Sequence, residues 1–468
     1  MRDAANRLHH QPRMDASSNG DAQARPGVWT LAWPAVLTNL LQSSVGIIDI
    51  KVVGSLGASA VAGATAGHRL FFVLMAVLMA VSVGATALVS RAIGAGQPEE
   101  AGRVVSNSLG LATLLAVLTG ALGLLLAEPF AEMFGLDGDS RALAIIYIRW
   151  ISGFTPAFAI GFVISSGLRA AGDTLTPLLF GAMSNIANVF FLYVLVYGGL
   201  GFAKIGIAGA ALAGGLAYTV AAVLAYVLWI RRRLVIAPAR GATLDRERTR
   251  KLIRIGLPAA LEQLVVQGGF IAFTTLIARF YGTRPLAAYG IGVQILSASF
   301  VIGFGFSIAA STLVGQHLGA GSPERAVQSG WRATALAVSA MSVLAIIILV
   351  LARPIARLMI SDEEVVDLTV SFIHWLGAAQ PLMAMQFALA GALRGAGDTR
   401  FPLVATLAGL IGGRVALACV FTWLRMPVDW IYGALLADYI IQSSLLVMRF
   451  RSGRWQRVMR PSAPPAAG

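Results

Sequence analysis

Apolar residues fill this chain in long blocks, separated by short clusters of charge and turn residues. Crossing a hydrocarbon core of about 30 Å takes ~20 residues of helix. Twelve blocks are long enough, at roughly 28–52, 62–90, 104–127, 142–167, 175–197, 207–230, 253–279, 287–315, 329–352, 366–391, 401–423 and 430–449. A membrane β-barrel would show alternating stretches of ~10 residues instead, and none occur. The pattern predicts an all-α polytopic membrane protein with twelve transmembrane helices.

The pattern is also written twice. Gly-Leu-Arg-Ala-Ala-Gly-Asp-Thr at 167–174 returns as Ala-Leu-Arg-Gly-Ala-Gly-Asp-Thr at 392–399, an offset of 225 (398 minus 173), with Pro177 and Pro402 three residues beyond. The stretch from Ser82 to Val89 matches Ser307 to Val314 at the same offset, and Pro156 matches Pro381. Pro34 and Pro258 pair at 224, which one single-residue indel accounts for. The sequence thus predicts two pseudo-symmetric six-helix lobes, 28–230 and 253–450, joined by a basic linker at 231–252 and flanked by polar tails at 1–27 and 451–468. Parallel repeats of this kind in an apolar chain are the architecture of two-lobed transporters, with the binding site between the lobes. The prolines fall inside spans one, four, seven and ten, where each removes a backbone hydrogen bond and permits a bend. The repeated Gly-Asp-Thr turns are expected to reverse the chain, with the Asp-Thr pair capping the next helix.

Composition sharpens the class. Charged residues make up only 12% of the chain, about half the share in a soluble protein. The net charge of +14 is concentrated in the linker (Arg231, Arg232, Arg233 and on to Arg254), after the last span (Arg449 to Arg460) and before the first (Arg2, Arg7, Arg13, Arg25). Loops on the other side carry acids such as Glu128, Glu132, Asp137, Asp139, Asp362 and Glu363. Short basic loops stay in the cytoplasm, so both termini and the linker are expected there, in the inner membrane. The basic surplus is topology, with some attraction to anionic lipid heads, and it excludes a nucleic-acid partner. Residues 1–27 have no apolar core, so no cleavable signal peptide is expected and span one starts insertion. Their polarity, and the Pro-Ala run after Arg460, predict disordered tails. Cys419 is the single cysteine, which excludes an internal disulfide and a thiolate metal cluster.

Polar residues inside the spans carry the candidate chemistry. Asp49 stands in the outer half of span one, and a charge in hydrocarbon must face a cavity, a partner or a proton. At 100° per residue Asn39, Gln42, Gly46 and Asp49 share one stripe about 80° wide. A static pair with Lys51 is disfavoured because i,i+2 residues point to different helix faces. The second copy has Thr274 in place of Asp49, so the lobes are chemically unequal. Span seven offers Glu262, either a second ionisable site or a residue paired with the basic linker, beside Gln263 and Gln267. Span five offers Ser184, Asn185 and Asn188; span ten offers His374 and Gln386. Arg414 of span eleven is expected to be a structural partner inside its lobe, for Asp438 or a carbonyl, and a lone His374 reads first as a core residue. Asn39, Gln42, Asn185, Gln263, Gln267 and Gln386 are the candidates for lining a substrate cavity. Phe71, Phe72, Met75, Met79, Met383 and Phe387 are packing or lipid-facing positions, of which some could add adaptable apolar surface. There is no Walker A loop, no His-Glu-x-x-His and no Gly-x-Ser-x-Gly. The chain therefore reads as no enzyme, with no cofactor, and draws on an ion gradient unless a partner subunit supplies the energy.

Several runs stand together at set spacing: Leu31-Ala32-Trp33-Pro34 opening span one, Ile48 to Gly57 closing it, and the twice-used Leu-Arg-x-Ala-Gly-Asp-Thr-x-x-Pro. Ser184-Asn185-Ile186-Ala187-Asn188 and the run from Gly206 to Ala211 add to them. In these residues, over about 28–450, the chain resembles the multidrug and toxic compound extrusion (MATE) family, nearest its DinF-type branch. The resemblance implies a V-shaped pair of lobes that exports amphipathic, often cationic organic compounds in exchange for H⁺ or Na⁺, acting as a monomer. It also implies cation or proton coupling at Asp49, with Asn188 nearby and Pro34 as the hinge. The chain departs from the family pattern at Leu192, where a second span-five aspartate is common, at Gly214 for a threonine, at Val45 for a tyrosine, and near Met383 for a span-ten acid. The thinned ligand set favours H⁺ over Na⁺. A lipid-linked-sugar flippase of the same superfamily is the alternative; it would want a cationic cavity, and the spans hold few basic residues (Arg69, Arg149, Arg414).

Overall fold

The structure is a computed structural model that describes residues 27–136, 138–239 and 244–459. Eleven helices are each long and apolar enough to span a membrane, and a bent pair supplies the twelfth. We number the spans α1 (Val28–Gly54), α2 (Ala58–Gly94), α3 (Pro98–Leu125), α4 (Gly138–Gly153 with Thr155–Ala171), α5 (Leu175–Tyr197) and α6 (Gly206–Ile230). The second lobe contains α7 (Arg246–Tyr281), α8 (Thr283–Gly319), α9 (Pro323–Val350), α10 (Glu363–Gly395), α11 (Arg400–Trp423) and α12 (Val428–Arg451). The predicted tails fall outside the described residues at 1–26 and 460–468. Just after α12, however, the chain is docked: Trp455 is fully buried, stacks on Phe450 at 4.7 Å and donates its indole N–H to the Phe450 carbonyl at 2.8 Å.

The linker is shorter than the charge pattern predicts. α7 begins at Arg246, not near 253, because Asp245 caps it: its carboxylate accepts the Arg248 backbone N–H at 3.0 Å. Arg248 then pairs with Glu100 of α3 at 2.7 Å, and Asn107 of α3 donates to the Thr249 hydroxyl at 3.0 Å. These contacts tie the foot of the second lobe to the first.

The matched prolines behave differently in the two copies. Pro156 stands at the start of the second half of α4, which breaks at Phe154 and bends by 49°. Its counterpart Pro381 lies inside a continuous α10. Pro34 and Pro258 also lie within unbroken helices. A proline at 34 cannot donate to the carbonyl of residue 30. That Thr30 carbonyl instead faces the hydroxyl of Thr174 at 3.5 Å, and in the second lobe Thr399 donates to the Ile255 carbonyl at 2.6 Å. The repeated Gly-Asp-Thr turn therefore braces the first helix of its own lobe. The expected cap appears in one copy, where Asp173 accepts the Thr176 N–H at 2.9 Å. In the other, Asp398 is buried and takes Arg449 at 2.8 Å.

The lobes touch at the end that carries the linker. Gly94 lies against the Gln316 carbonyl, Gly319 against that of Arg91, and Gly256 against that of Ala80. Thr312 and Gln316 of α8 donate to the carbonyls of Arg169 and Ala170, both at 3.0 Å. Val28, Leu31 and Ala32 at the foot of α1 are packed into the second lobe's core. Towards the far end of α1 the side chains of Gln42, Ser43, Ile47 and Ile50 are exposed. Helices that meet backbone to backbone leave no room for a Cβ, and overpacking costs about 1–3 kcal/mol or more. Gly94→Leu should therefore lower the melting temperature of the purified protein, and an unchanged value would contradict the contact. A second prediction concerns Asp245, outside the spans, whose carboxyl is held below the usual aspartate range by the Arg248 backbone N–H. The stabilisation is present above the ordinary aspartate range and lost as pH falls through the lowered folded value. Asp245→Ala should thus lower the melting temperature at neutral pH, with the gap closing in strong acid.

Candidate functional site

Asp49 is half-buried on α1, and its Oδ1 is buried with no hydrogen-bond partner. Among the described residues it forms no ion pair; Lys51 is exposed and points elsewhere. Asn188 of α5 lies beside the carboxyl, and Tyr147 of α4 and Tyr218 of α6 are close enough to feel its charge. The Asn188 Oδ1 and Asn185 Nδ2 are likewise buried without partners. One carboxylate oxygen of α1 and two asparagine polar atoms of α5 are thus left unsatisfied. Each such atom in a dry interior costs on the order of 1–3 kcal/mol, so this arrangement calls for a proton, a cation or water.

The surroundings hold these groups in place. The Tyr147 hydroxyl and His68 Nδ1 are 3.2 Å apart, and the same nitrogen lies 3.3 Å from the Ala64 carbonyl. The Tyr147 ring fills the notch left by Gly67. Phe158 meets Tyr218 edge-on at 5.0 Å and Phe71 at 5.5 Å. Gly214 leaves space facing Asn188, since a Cβ there would stand 4.0 Å from its Nδ2. Leu192, where a second carboxylate is common in the resembling family, is packed in the core with Val196 and Ile207. Tyr147, Tyr218 and His68 carry no sequence signal of their own. His68 sits four residues from Ala64 in an ordinary helical stretch, and only the packing of α2, α4 and α6 brings the three together.

The other sequence candidates separate. Asn39, Asn185, Gln263 and Gln386 are half-buried, whereas Gln42 and Gln267 are exposed. Glu262 is neither a free ionisable site nor a partner of the linker. It is 95% buried and pairs with Arg394 of the second repeated turn at 2.6 Å, and Thr406 donates to it at 3.2 Å. The basic linker is nearer in sequence, but α10 returns to this depth 132 residues later and supplies the cation. His374 is exposed, not a core residue. Met383 and Phe387 are buried, Met75 is buried, and Phe72 is 61% exposed. Arg414 and Asp438 do pair, at 2.7 Å, with side chains only 2% and 1% exposed.

Two six-helix lobes that meet at one end, the first of them holding an unpaired intramembrane carboxylate, define a two-lobed membrane transporter. The chain belongs to the MatE family, whose sequence profile matches residues 34–194 and 258–420, one stretch in each lobe. It is 31% identical over 439 residues to a probable multidrug resistance protein NorM of Thermotoga maritima, covering 91% of this chain and 92% of the relative. A probable NorM of Bradyrhizobium diazoefficiens is 30% identical over 457 residues, covering 95% and 96%. Among solved structures, the outward-facing conformation of a multidrug resistance MATE family transporter superposes with a TM-score of 0.83 at 21% identity, covering 91% of this chain and 94% of that one. A Pyrococcus furiosus transporter of the MOP superfamily, described as having a binding pocket of reverse polarity, gives 0.83 at 20% identity. The chain is an integral membrane transporter, not an enzyme.

Removing one member of a buried ion pair strands the other charge, at a cost of about 3–5 kcal/mol. Arg394→Met should therefore destabilise the protein strongly, and Arg394→Met with Glu262→Gln should recover much of the loss in thermal unfolding. Equal stability of the single variant and the parent would show that the pair does not form.

Proposed function

We propose that the protein exports amphipathic, often cationic organic compounds across the cytoplasmic membrane in exchange for H⁺, by alternating access, and that it acts as a monomer. The observation that carries this reading is the Asp49 carboxylate, buried in part, without a counter-charge and beside Asn188, whose own carbonyl oxygen is unpaired. A fixed counter-cation would leave such a group nothing to exchange. H⁺ is favoured over Na⁺ because Na⁺ wants several oxygen ligands, while this site offers Asp49 and Asn188, with Leu192 and Gly214 where further ligands would stand. The relatives' multidrug resistance names support organic substrates. Branch placement near the DinF type rests on span one and span five. The same superfamily's lipid-linked-sugar flippases would need several free cations in the cleft, whereas of the three basic residues named above Arg149 is paired with Glu128 and Arg414 with Asp438, which leaves Arg69 alone among them.

In this mechanism the basic linker and both termini face the cytoplasm, so closure at the linker end opens the cleft outward. A cationic compound is held while Asp49 is ionised. A proton from outside then binds the carboxylate, removes its attraction for the cation, and the compound leaves. Span one, braced at Thr30 and free to bend at Pro34, follows the change of charge. Asn39, Gln42, Asn185, Gln263, Gln267 and Gln386 supply polar contacts as the cleft closes on its cargo. Proton and cargo need only favour different states; a coupling free energy of about 1–3 kcal/mol gives roughly 5–150-fold.

Ethidium movement in proteoliposomes, driven separately by pH and by Na⁺ gradients, tests this. A pH gradient should drive transport, and Asp49→Asn should reduce it by roughly tenfold or more within that coupling range, while ethidium binding persists. Undiminished proton-driven transport in Asp49→Asn would rule out the role; transport driven by Na⁺ alone would reassign the ion.

A further inference from the structure

The duplication lets each position around Asp49 be traced into the second lobe. The register is physical as well as textual: Tyr147 fills the notch at Gly67, and 225 residues on, Phe372 fills the notch at Gly292. At that offset Asp49 becomes Thr274. In α6 and α12 the runs Ile207-x-Gly209-Ala210-x-Leu212-Ala213-Gly214 and Ile431-x-Gly433-Ala434-x-Leu436-Ala437-Asp438 align at 224, so Gly214 becomes Asp438. In α11 the stretch Leu407–Val415 is a π-helix, which inserts one residue relative to an α-helix. The offset grows to 226 there, and Asn188 becomes Arg414. The triangle of Asp49, Asn188 and Gly214 in the first lobe is thus Thr274, Arg414 and Asp438 in the second.

The two triangles carry the same carboxylate count with opposite bookkeeping of positive charge. In the first lobe the carboxylate has an unpaired oxygen, and the asparagine beside it has an unpaired carbonyl. In the second, both oxygens of Asp438 are engaged, Oδ2 by Arg414 at 2.7 Å and Oδ1 by the Gln442 amide at 2.6 Å. The guanidinium is enclosed by the rings of Phe270, Phe273 and Tyr439 at 5.7, 5.9 and 5.5 Å. The groups facing Asp438 are therefore Arg414, Gln442 and Tyr439, with Tyr289 across from Arg414 and Glu262 joined through Thr406. A cation placed there by covalent attachment neutralises the carboxylate in every state of the cycle and cannot leave.

We infer that Arg414 is a tethered stand-in for the coupling cation: it permanently fills the second lobe's counterpart of the Asp49 site, so one coupling cation moves per cycle, through the first lobe only. The inference rests on the antiport reading of Asp49. It also gives the π-segment a purpose, since without the inserted residue Gly413, not Arg414, would occupy the position of Asn188.

The test uses the full-length protein in lipid nanodiscs, with infrared difference spectra of carboxyl protonation between acid and neutral pH. Wild type should show a titrating carboxyl that Asp49→Asn removes, and Arg414→Met with Asp438→Asn should leave the wild-type spectrum unchanged. Arg414→Met alone should gain a second titrating carboxyl, which the double variant lacks. In proteoliposomes the zero-flux ratio of protons to ethidium should double in Arg414→Met relative to wild type. The double variant removes both charges together and so keeps the test open if the single variant does not fold. A titrating carboxyl in wild type that the double variant removes, or an unchanged ratio in a folded Arg414→Met, would overturn the inference. Absence of gradient-driven transport in wild type would overturn the antiport reading instead, and leaves the carboxyl count to decide this one.

Discussion

Within hydrocarbon a polar atom has no water to return to, so each one must find a partner inside the protein. That constraint organises this molecule. The carbonyl freed by Pro34 is met by Thr174, and the Ile255 carbonyl beside Pro258 is met by Thr399. Glu262 is met by Arg394 and Thr406, and Asp438 by Arg414 and Gln442. Against this background the unpaired atoms of Asp49, Asn185 and Asn188 stand out by location. They lie on α1 and α5 of one lobe, whereas both carboxylate oxygens of Asp438 in the other lobe are engaged.

The repeated turn shows how one sequence motif serves two physical tasks. Its threonine braces the proline-bearing helix in both lobes. Its aspartate caps a helix in the first lobe and anchors Arg449 in the second. Its arginine pairs with Glu262 in the second lobe, while the matching position in the first lobe is Thr38, whose hydroxyl bonds back to the Pro34 carbonyl at 2.8 Å. The second lobe is consequently stitched by ion pairs and hydrogen bonds running from α10 through α7 and α11 to α12. Among the described residues the first lobe shows no such chain, and it carries the break at Phe154. The structure thus joins a braced half to a looser one.

Much of this was legible beforehand. The twelve spans follow from length and apolarity, the two lobes from the 225-residue echo, and the isolation of Asp49 from the price of charge in hydrocarbon. Arg414 was readable as a partner inside its lobe, with Asp438 or a carbonyl as the options, and the structure shows it is Asp438. What escaped depends on tertiary placement. Pro156 and Pro381 look alike in sequence, yet one helix breaks and the other continues, because neighbouring contacts and not the proline alone decide. Arg394 lies 132 residues from Glu262, and no local pattern joins them. The π-segment has no compositional mark, and Trp455 looked like part of a polar tail because its stacking partner Phe450 belongs to the preceding span.

The glycines where the lobes meet have a mechanical consequence. Gly94, Gly256 and Gly319 press against backbone carbonyls, so the seal at that end is made of main chain, which has no rotamers to flip. Such a barrier does not flicker open one side chain at a time; it parts only when whole helices slide or tilt away together. In the proposed alternating-access cycle, leakage through the shut end would thereby be tied to the global swing of the halves, with no dedicated plug needed.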